Sequence, residues 1–259
     1  IGNCLFHFLK NKFEVVGVDK DTKFNNQIYK CNILNKKKFD KILFKEKPNL
    51  IIHLAAKSLV DEKIKKKEYL KSNVKVTKSL LDSMEKHEIK KIIFSSTAGI
   101  YKGSFKPVKE KDKIKPLSNY AKTKLICEKD IKKNNNIKFI ILRFFNVCSA
   151  LDKPLLGVLR NPITPLIPTV VYKALFRKKV YIYGNDYNTK DGTCIRDYIH
   201  IKDICIAILK SIKFINTKKK SEIFNIGNKE GVSNKDVLKT IEKIIKKKID
   251  LQFVKKRKG

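Results

Sequence analysis

Tyr120 and Lys124 stand four residues apart in Ser118–Lys133, a segment whose apolar spacing predicts a helix. On a helix, positions i and i+4 share a face. An ammonium one turn from a phenol stabilises the phenolate and draws its pKa down from about 10 toward neutrality, which makes the tyrosine a usable base. The spacing alone is a weak signal. With nine tyrosines and 60 basic residues, about two such pairs arise by chance, and Tyr198–Lys202 is the second. Either pair has an ordinary reading, a solvated tyrosine beside a surface lysine. Context separates them. Upstream of Tyr120, the run Phe94-Ser95-Ser96-Thr97-Ala98 ends an apolar stretch in hydroxyls. A hydroxyl such as that of Thr97, at the carboxyl end of a strand, donates to a substrate oxygen and aligns a proton transfer. Tyr198 instead follows Arg196-Asp197 and precedes a predicted helix start at Ile201, with no such strand before it.

The elements that must position these groups alternate. Helical spacing over Asn3–Lys12 is followed by a strand pattern at Glu14–Asp19 and a shorter one at Ile28–Ile33. A basic helix at Lys37–Glu46, a strand at Asn49–Leu54 and a long amphipathic helix at Tyr69–His87 come next. Strands at Lys91–Ser96 and Ile137–Arg143 flank the helix that carries Tyr120. This rhythm predicts an α/β fold, a doubly wound parallel sheet with helices on both faces. In such sheets ligands gather at the carboxyl ends of the strands, where Asp19, Ala55, Thr97 and Phe144 all fall. After Phe144 the rhythm changes: Asn146–Pro168 carries four prolines and reads as loop. Helices at Thr169–Lys178, Ile201–Phe214 and Ser233–Lys247 and short strands at Val180–Tyr183 and Glu222–Ile226 complete a smaller, mixed α/β lobe. The predicted domains are 1–150 and 151–259.

Asp19 ends the second strand of the expected sheet. An acid there hydrogen-bonds the ribose hydroxyls of an adenosine and repels a 2′-phosphate, so it selects NAD over NADP; its ordinary reading is a turn cap, and Lys20 beside it weakens the preference. Gly2 precedes a helix and suits the end of a phosphate loop, but one glycine is no motif.

The net charge of +35 invites a nucleic-acid reading. The lysines are spread over the whole chain, however, in short runs such as Lys65–Lys67 and Lys246–Lys248 that suit solvated faces. Lys, Asn and Ile are abundant together, and all three have A/T-rich codons. No nucleic-acid partner is expected. Six cysteines without a CxxC or zinc spacing predict free thiols, no metal and a reducing, cytoplasmic compartment. No run of about 18 apolar residues is present, so no membrane span is predicted, and Ile1–Leu9 lacks the features of a signal peptide.

The blocks Ile1-Gly2, Val18-Asp19, Cys31-Asn32-Ile33, His53–Val60, Asn73-Val74, Phe94–Tyr101, Asn119–Lys124, Leu142–Val147, Ile182–Asp203, Phe224–Gly227 and Arg257-Lys258-Gly259 run nearly end to end. Through them the chain resembles the UDP-glucose 4-epimerase branch of the extended short-chain dehydrogenase/reductase family, with Ile182–Asp203 the most specific. The resemblance implies a Rossmann-type domain that binds NAD and a lobe that binds a UDP-sugar. It implies epimerisation at C4 of a UDP-hexose through a transient 4-ketose, with Tyr120 as base, Lys124 holding the nicotinamide ribose and lowering the Tyr120 pKa, and Thr97 bonded to the reacting oxygen. Gly2, Asp19, Asn32, Ile33, Leu54, Ala55, Ser58, Asn73, Ser95, Phe144 and Phe145 are the implied cofactor contacts, with Tyr120 and Lys124. Asn146, Leu166, Tyr183, Arg196, Tyr198 and Arg257 are the implied UDP-sugar contacts. Arg196 and Arg257 suit a pyrophosphate, because a guanidinium offers two parallel donors, and Tyr183 suits stacking on uracil. A homodimer through the helices at Tyr69–His87 and Ser118–Lys133 is also implied.

The sequence departs from the family pattern in several places. The first strand, most of its glycine loop and a C-terminal part of the sugar pocket are expected to be missing, which predicts that the full-length parent is active and this literal chain is not. Asn32 stands where the family has Asp, Lys102 interrupts a Tyr-Gly step, and Pro165 replaces a polar residue. Two rivals differ in testable ways. A 4,6-dehydratase needs an acid just after the strand-end hydroxyl, but Thr97 is followed by Ala98-Gly99. A basic RNA-binding scaffold needs no Tyr/Lys/Thr set and carries no bound NAD.

Overall fold

The computed structural model describes residues 1–21, 27–61, 63–104, 106–157, 163–218 and 220–256. In chain order the strands are β1 (Gly17–Asp19), β2 (Ile28–Lys30), β3 (Ile51–His53), β4 (Lys91–Thr97), β5 (Lys138–Phe144), β6 (Asn146–Cys148), β7 (Val180–Tyr183), β8 (Ile195–His200), β9 (Glu222–Ile226), β10 (Gly231–Ser233) and β11 (Leu251–Val254). The α-helices are α1 (Gly2–Leu9), α2 (Lys36–Glu46), α3 (Lys66–Tyr69), α4 (Val76–Lys86), α5 (Asn119–Lys133), α6 (Leu166–Leu175), α7 (Ile201–Thr217) and α8 (Asn234–Ile245).

Two compact units emerge. The first combines Ile1–Phe145 with Lys202–Ile226, and the second combines Asn146–Ile201 with Gly227–Gly259. The sequence places one boundary at 150. The structure instead returns 202–226 to the first unit, because β9 pairs with β5 from Ile140↔Glu222 to Phe144↔Ile226 and extends its sheet.

In the first unit, β3-β4-β5-β9 form a parallel sheet, and β1 and β2 form a separate parallel ladder. The expectation was a single sheet. Among the described residues no strand joins β1 to β3, so the two ladders stay apart. The central strands are long and continuously apolar, as strands covered on both faces must be. Ile92, Phe94 and Ile141 are buried between helices α2, α4 and α5, which contribute Phe39, Ile42, Leu80, Met84 and Ile131. Local chemistry sets the helix ends. Asn35 accepts from the Lys38 N–H at the start of α2, and Ser118 accepts from the Ala121 N–H at the start of α5, each satisfying an otherwise orphan donor. Lys132 and Lys133 end α5, where positive charge suits the helix dipole.

The long helix expected at Tyr69–His87 is present, running without a break over 66–86, but its pitch changes within it. A π-helical stretch, Leu70–Lys75, separates α3 from α4. Single π turns inside helices occur often at functional sites, and this one carries Asn73.

In the second unit, β8 lies between β10 (antiparallel) and β6 (parallel), while β7 and β11 form a separate parallel pair. Its core comprises Val170, Val180, Ile182, Val237, Leu238 and Ile241. Ser233 caps α8 by accepting from the Asp236 N–H. Strands β6, β8, β10 and β11 were not foreseen. They are three to six residues long, too short for period-two alternation to stand out.

Candidate active site

In the first unit the expected residues borne by β3, β4 and β5 lie at the carboxyl ends of one sheet. The register sets His53 beside Phe94 and Thr97 beside Phe144. Leu54 and Ala55 after β3, Thr97 on β4, Phe144 on β5 and Phe145 just after it therefore leave adjacent carboxyl ends. Ser95 is buried and donates to the His53 carbonyl at 3.1 Å, fastening β4 to β3. Gly2 lies close to Leu54: a Cβ built on it would sit 4.0 Å from Leu54 Cδ1. Asp19 and Asn32 lie at the matching end of the β1–β2 ladder, where the Cys31 N–H donates to the Asp19 carbonyl at 2.8 Å. Both side chains also close turns, Asp19 accepting from the Asp21 N–H and Asn32 from the Leu34 N–H, each at 3.0 Å. Ile33 packs on the core, and Ser58 is exposed on the loop after β3.

That loop is latched from the π turn. Asn73 is buried; its Oδ1 accepts from the Lys57 N–H at 2.8 Å, and its Nδ2 donates to Thr123 Oγ1 at 2.9 Å. Thr123 in turn donates to the Tyr120 carbonyl at 2.8 Å. Asn73, expected as a direct cofactor contact, spends its polar atoms here on holding the loop and α5 together. Tyr69 adds a second latch, donating to the Leu59 carbonyl at 2.6 Å.

Lys124 is 2% exposed, and its Nζ sits 4.3 Å from the centroid of the Phe94 ring, a contact that helps retain an ammonium away from water. Burial nevertheless lowers its pKa to about 8, against the opposing pull of Cys127 and Glu128. The sequence predicts a Tyr120 phenol drawn down by Lys124. The structure reverses this: burial pushes Tyr120 up to about 12, and negative charge at Cys127 adds to the rise. In a dry setting, desolvation is the largest cause for both groups. Behind them His53 is buried, shares a 3.0 Å hydrogen bond with Thr77, and is held down to about 3 by burial and then by Lys124.

Thr97 caps the short 3-10 turn Ala98–Ile100, accepting from the Gly99 N–H at 3.1 Å. A Cβ on Gly99 would lie 3.3 Å from Thr97 Oγ1 and 3.8 Å from Ala121 Cβ. Gly99 therefore sits close both to the strand-end hydroxyl and to Ala121 in the first turn of α5, and a side chain there would crowd Thr97 Oγ1.

Sequence reasoning missed the polar group beneath these residues. Glu128, one turn past Lys124, accepts from Arg143 Nε at 3.1 Å and from Nη2 at 2.8 Å, and both side chains are 2% exposed. The available signal was Arg143 itself, a charge in the apolar run Phe139–Phe145, which demands a buried partner.

In the second unit, Asn146 and Tyr198 are direct partners across β6 and β8. Arg196 lies two residues from Tyr198 and so on the same face of β8. Asn146 Nδ2 donates to the Asp197 carbonyl at 3.1 Å. Leu166 and Tyr198 pack on the same core, and burial raises the Tyr198 pKa, which keeps it a neutral hydrogen-bonding phenol. Tyr183 ends β7 in the other ladder, with its side chain partly exposed. Arg257 lies outside the described residues. Among the described residues no cluster of three or more His, Cys, Asp or Glu side chains could hold a metal, and no helix is long and apolar enough to cross a membrane.

Residues 1–227 match the NAD dependent epimerase/dehydratase family. The chain belongs to this family. It is 35% identical over 237 residues to UDP-glucose 4-epimerase of Halalkalibacterium halodurans, spanning 89% of this chain and 71% of that one. It is 30% identical over 267 residues to UDP-glucose 4-epimerase of Mycoplasma genitalium, spanning 94% and 78%. Among solved structures, UDP-glucose 4-epimerase from Brucella ovis in complex with NAD matches with a TM-score of 0.92 at 28% identity, covering 100% of this chain and 83% of that one. The enzyme from Bifidobacterium longum in complex with NAD+ and UDP matches with a TM-score of 0.88 at 28% identity, covering 98% and 83%. As a member of the epimerase/dehydratase family, the chain has residues that fit the family's dinucleotide. The first turn of α1, beginning at Gly2, has no side-chain cap and leaves N–H groups for an anion, and the Asp19 carboxylate is exposed at a strand end.

Proposed function

We propose that this protein interconverts UDP-glucose and UDP-galactose by epimerisation at C4, with NAD retained through the cycle. The observation that carries the reading is the buried Lys124 ammonium one helical turn from Tyr120, on a helix whose first turn approaches Gly99 beside the Thr97 hydroxyl. Bound NAD supplies the oxidant and reductant for C4. Gly2, Asp19, Asn32, Ile33, Leu54, Ala55 and Ser58 would hold its adenosine and phosphate portion, and Ser95, Phe144 and Phe145 would line its nicotinamide end. Asn73 would act through the loop it latches.

The chain's own groups then do the following. Tyr120 takes the proton from the sugar 4-hydroxyl and later returns it. Thr97 donates a hydrogen bond to the same oxygen, so charge developing there is met by a fixed dipole. Lys124 holds the nicotinamide ribose and supplies positive charge beside the phenol. The phenol rests at about 12 in the protein alone, so it becomes a base when positive charge from the cofactor joins Lys124. Asn146, Leu166, Tyr183, Arg196, Tyr198 and Arg257 would bind the UDP-sugar. Ala98-Gly99 after Thr97 offers no carboxyl acid, which favours epimerisation over dehydration. We place the protein in the cytoplasm without a nucleic-acid partner, and we propose a homodimer through α4 and α5, where Ile126 is an exposed apolar residue.

The test is a coupled assay of UDP-galactose turnover by the purified full-length protein, whose NAD content is measured after denaturation. Turnover with bound NAD supports the reading. Bound NAD without turnover of UDP-glucose, UDP-galactose or their N-acetylated forms rejects it.

A further inference from the structure

Glu128 and Arg143 belong to a longer buried chain of polar groups. Ser96, the residue before Thr97, donates to Glu128 Oε1 at 2.5 Å. On the far side, Arg143 Nη1 donates to Tyr101 Oη at 2.6 Å and to the Glu110 carbonyl at 3.0 Å. Tyr101 Oη donates in turn to Asn225 Oδ1 at 2.7 Å. Asn225 closes the circuit by donating from its N–H to Glu110 Oε1 at 2.8 Å and from Nδ2 to the Val108 carbonyl at 3.0 Å.

The placement of these groups matters more than their number. Thr97 and Tyr120 are joined in sequence by a long excursion, whose described residues 102–104 and 106–117 have little regular structure of their own. The chain grips that excursion at its start through Tyr101 and in its middle through Val108 and Glu110. It also grips β4 one residue before Thr97, β5 one residue before Phe144, and α5 one turn past Lys124. A buried ion pair is often no more stabilising than an apolar pair of equal volume, so stability alone is a weak account of it. What a bidentate Arg–carboxylate pair supplies is fixed geometry.

We propose that Ser96, Glu128, Arg143 and Tyr101 are positioning residues that set Thr97 against Tyr120 for the proton transfer, a claim that rests on the epimerase reading above. They touch neither cofactor nor sugar in this account. Their contribution is alignment, to which a misplacement on the order of 1 Å is costly.

Changing Glu128 or Arg143 risks unfolding, so the test uses Ser96→Ala and Tyr101→Phe, which each remove hydrogen bonds without stranding a charge. Both are measured for kcat, for KM toward UDP-galactose, for bound NAD and for melting temperature, with Ser96→Thr as the conservative control. The expected result is a fall in kcat of about tenfold or more, with KM and NAD content close to those of the parent, and with recovery in Ser96→Thr. Crystal structures of the parent and Ser96→Ala supply a readout independent of turnover, in which the Thr97 Oγ1 to Tyr120 Oη separation changes. An unchanged kcat, an unchanged separation, or a loss of activity that only follows loss of folded, NAD-bound protein overturns the proposal. If the parent itself binds NAD but turns over no UDP-sugar, the epimerase reading fails, and the separation alone decides whether the network positions Thr97.

Discussion

Tyr120 and Lys124 lie within one helix, whereas Tyr198 lies in strand β8 and Lys202 falls in the following helix, although both pairs have the same spacing. The first lysine is buried over Phe94 and the second is exposed. Four residues of helix bring two side chains together on one face, about one turn apart; four residues of strand carry them about 13 Å along the chain, and Lys202 lies beyond the end of β8 in α7, so the relation is lost. Surroundings widen the difference. Tyr120 is tied through Thr123 and Asn73 to the loop after β3, while Tyr198 shares its strand face with the exposed Arg196. In the function proposed above, one tyrosine exchanges a proton and the other offers a neutral hydroxyl to a ligand.

The comparison breaks if the two tyrosines respond alike to loss of their hydroxyls. Removing a general base typically costs about 10²–10⁴-fold, so Tyr120→Phe is expected to lose that much kcat, and Tyr198→Phe to change chiefly KM for the UDP-sugar. Steady-state kinetics on the two variants separates them. The lysines sharpen the contrast at a lower level. Lys124→Met is expected to reduce kcat by about 10²-fold, whereas Lys202→Met leaves kcat and KM near the parent values.

A smaller effect concerns the dryness of the first pair. His53 is neutral in the fold down to about pH 3, against an ordinary value of 6.5. Between those values the unfolded chain binds the extra proton and the folded one does not. Stability therefore falls as pH drops from 6.5 toward 3, with a slope of at most about 1.4 kcal/mol per pH unit from this group. His53→Gln, which preserves a partner for Thr77, is expected to flatten that part of the urea-midpoint profile. A profile identical to that of the parent would mean that the surroundings of His53 and Lys124 are wetter than the structure has them.

Much of the first unit was legible in the sequence because its strands are continuous apolar runs and its helices carry caps. The ends of β3, β4 and β5, and with them Leu54, Thr97 and Phe144, follow directly from that pattern. The π turn at Leu70–Lys75 was not legible, since a one-residue change in helical pitch barely alters apolar spacing. The Arg143–Glu128 pair was half legible, as a charge in an apolar strand whose partner comes from a different element. The direction of the Tyr120 shift was misread because spacing reports proximity and says nothing of desolvation. In the second unit, Arg196 and Tyr198 were identified by resemblance, but the strand that aligns them was too short to read.

Central to the account is a phenol that is inert in the protein alone and becomes a base beside Lys124 when the dinucleotide is bound. An ultraviolet difference titration of the parent against Tyr120→Phe, with and without NAD, reads that phenol directly. The account predicts a midpoint near 12 without NAD and one below the ordinary value of 10 with it. A midpoint that stays near 12 in the NAD-bound protein would contradict the assignment of Tyr120 as the base.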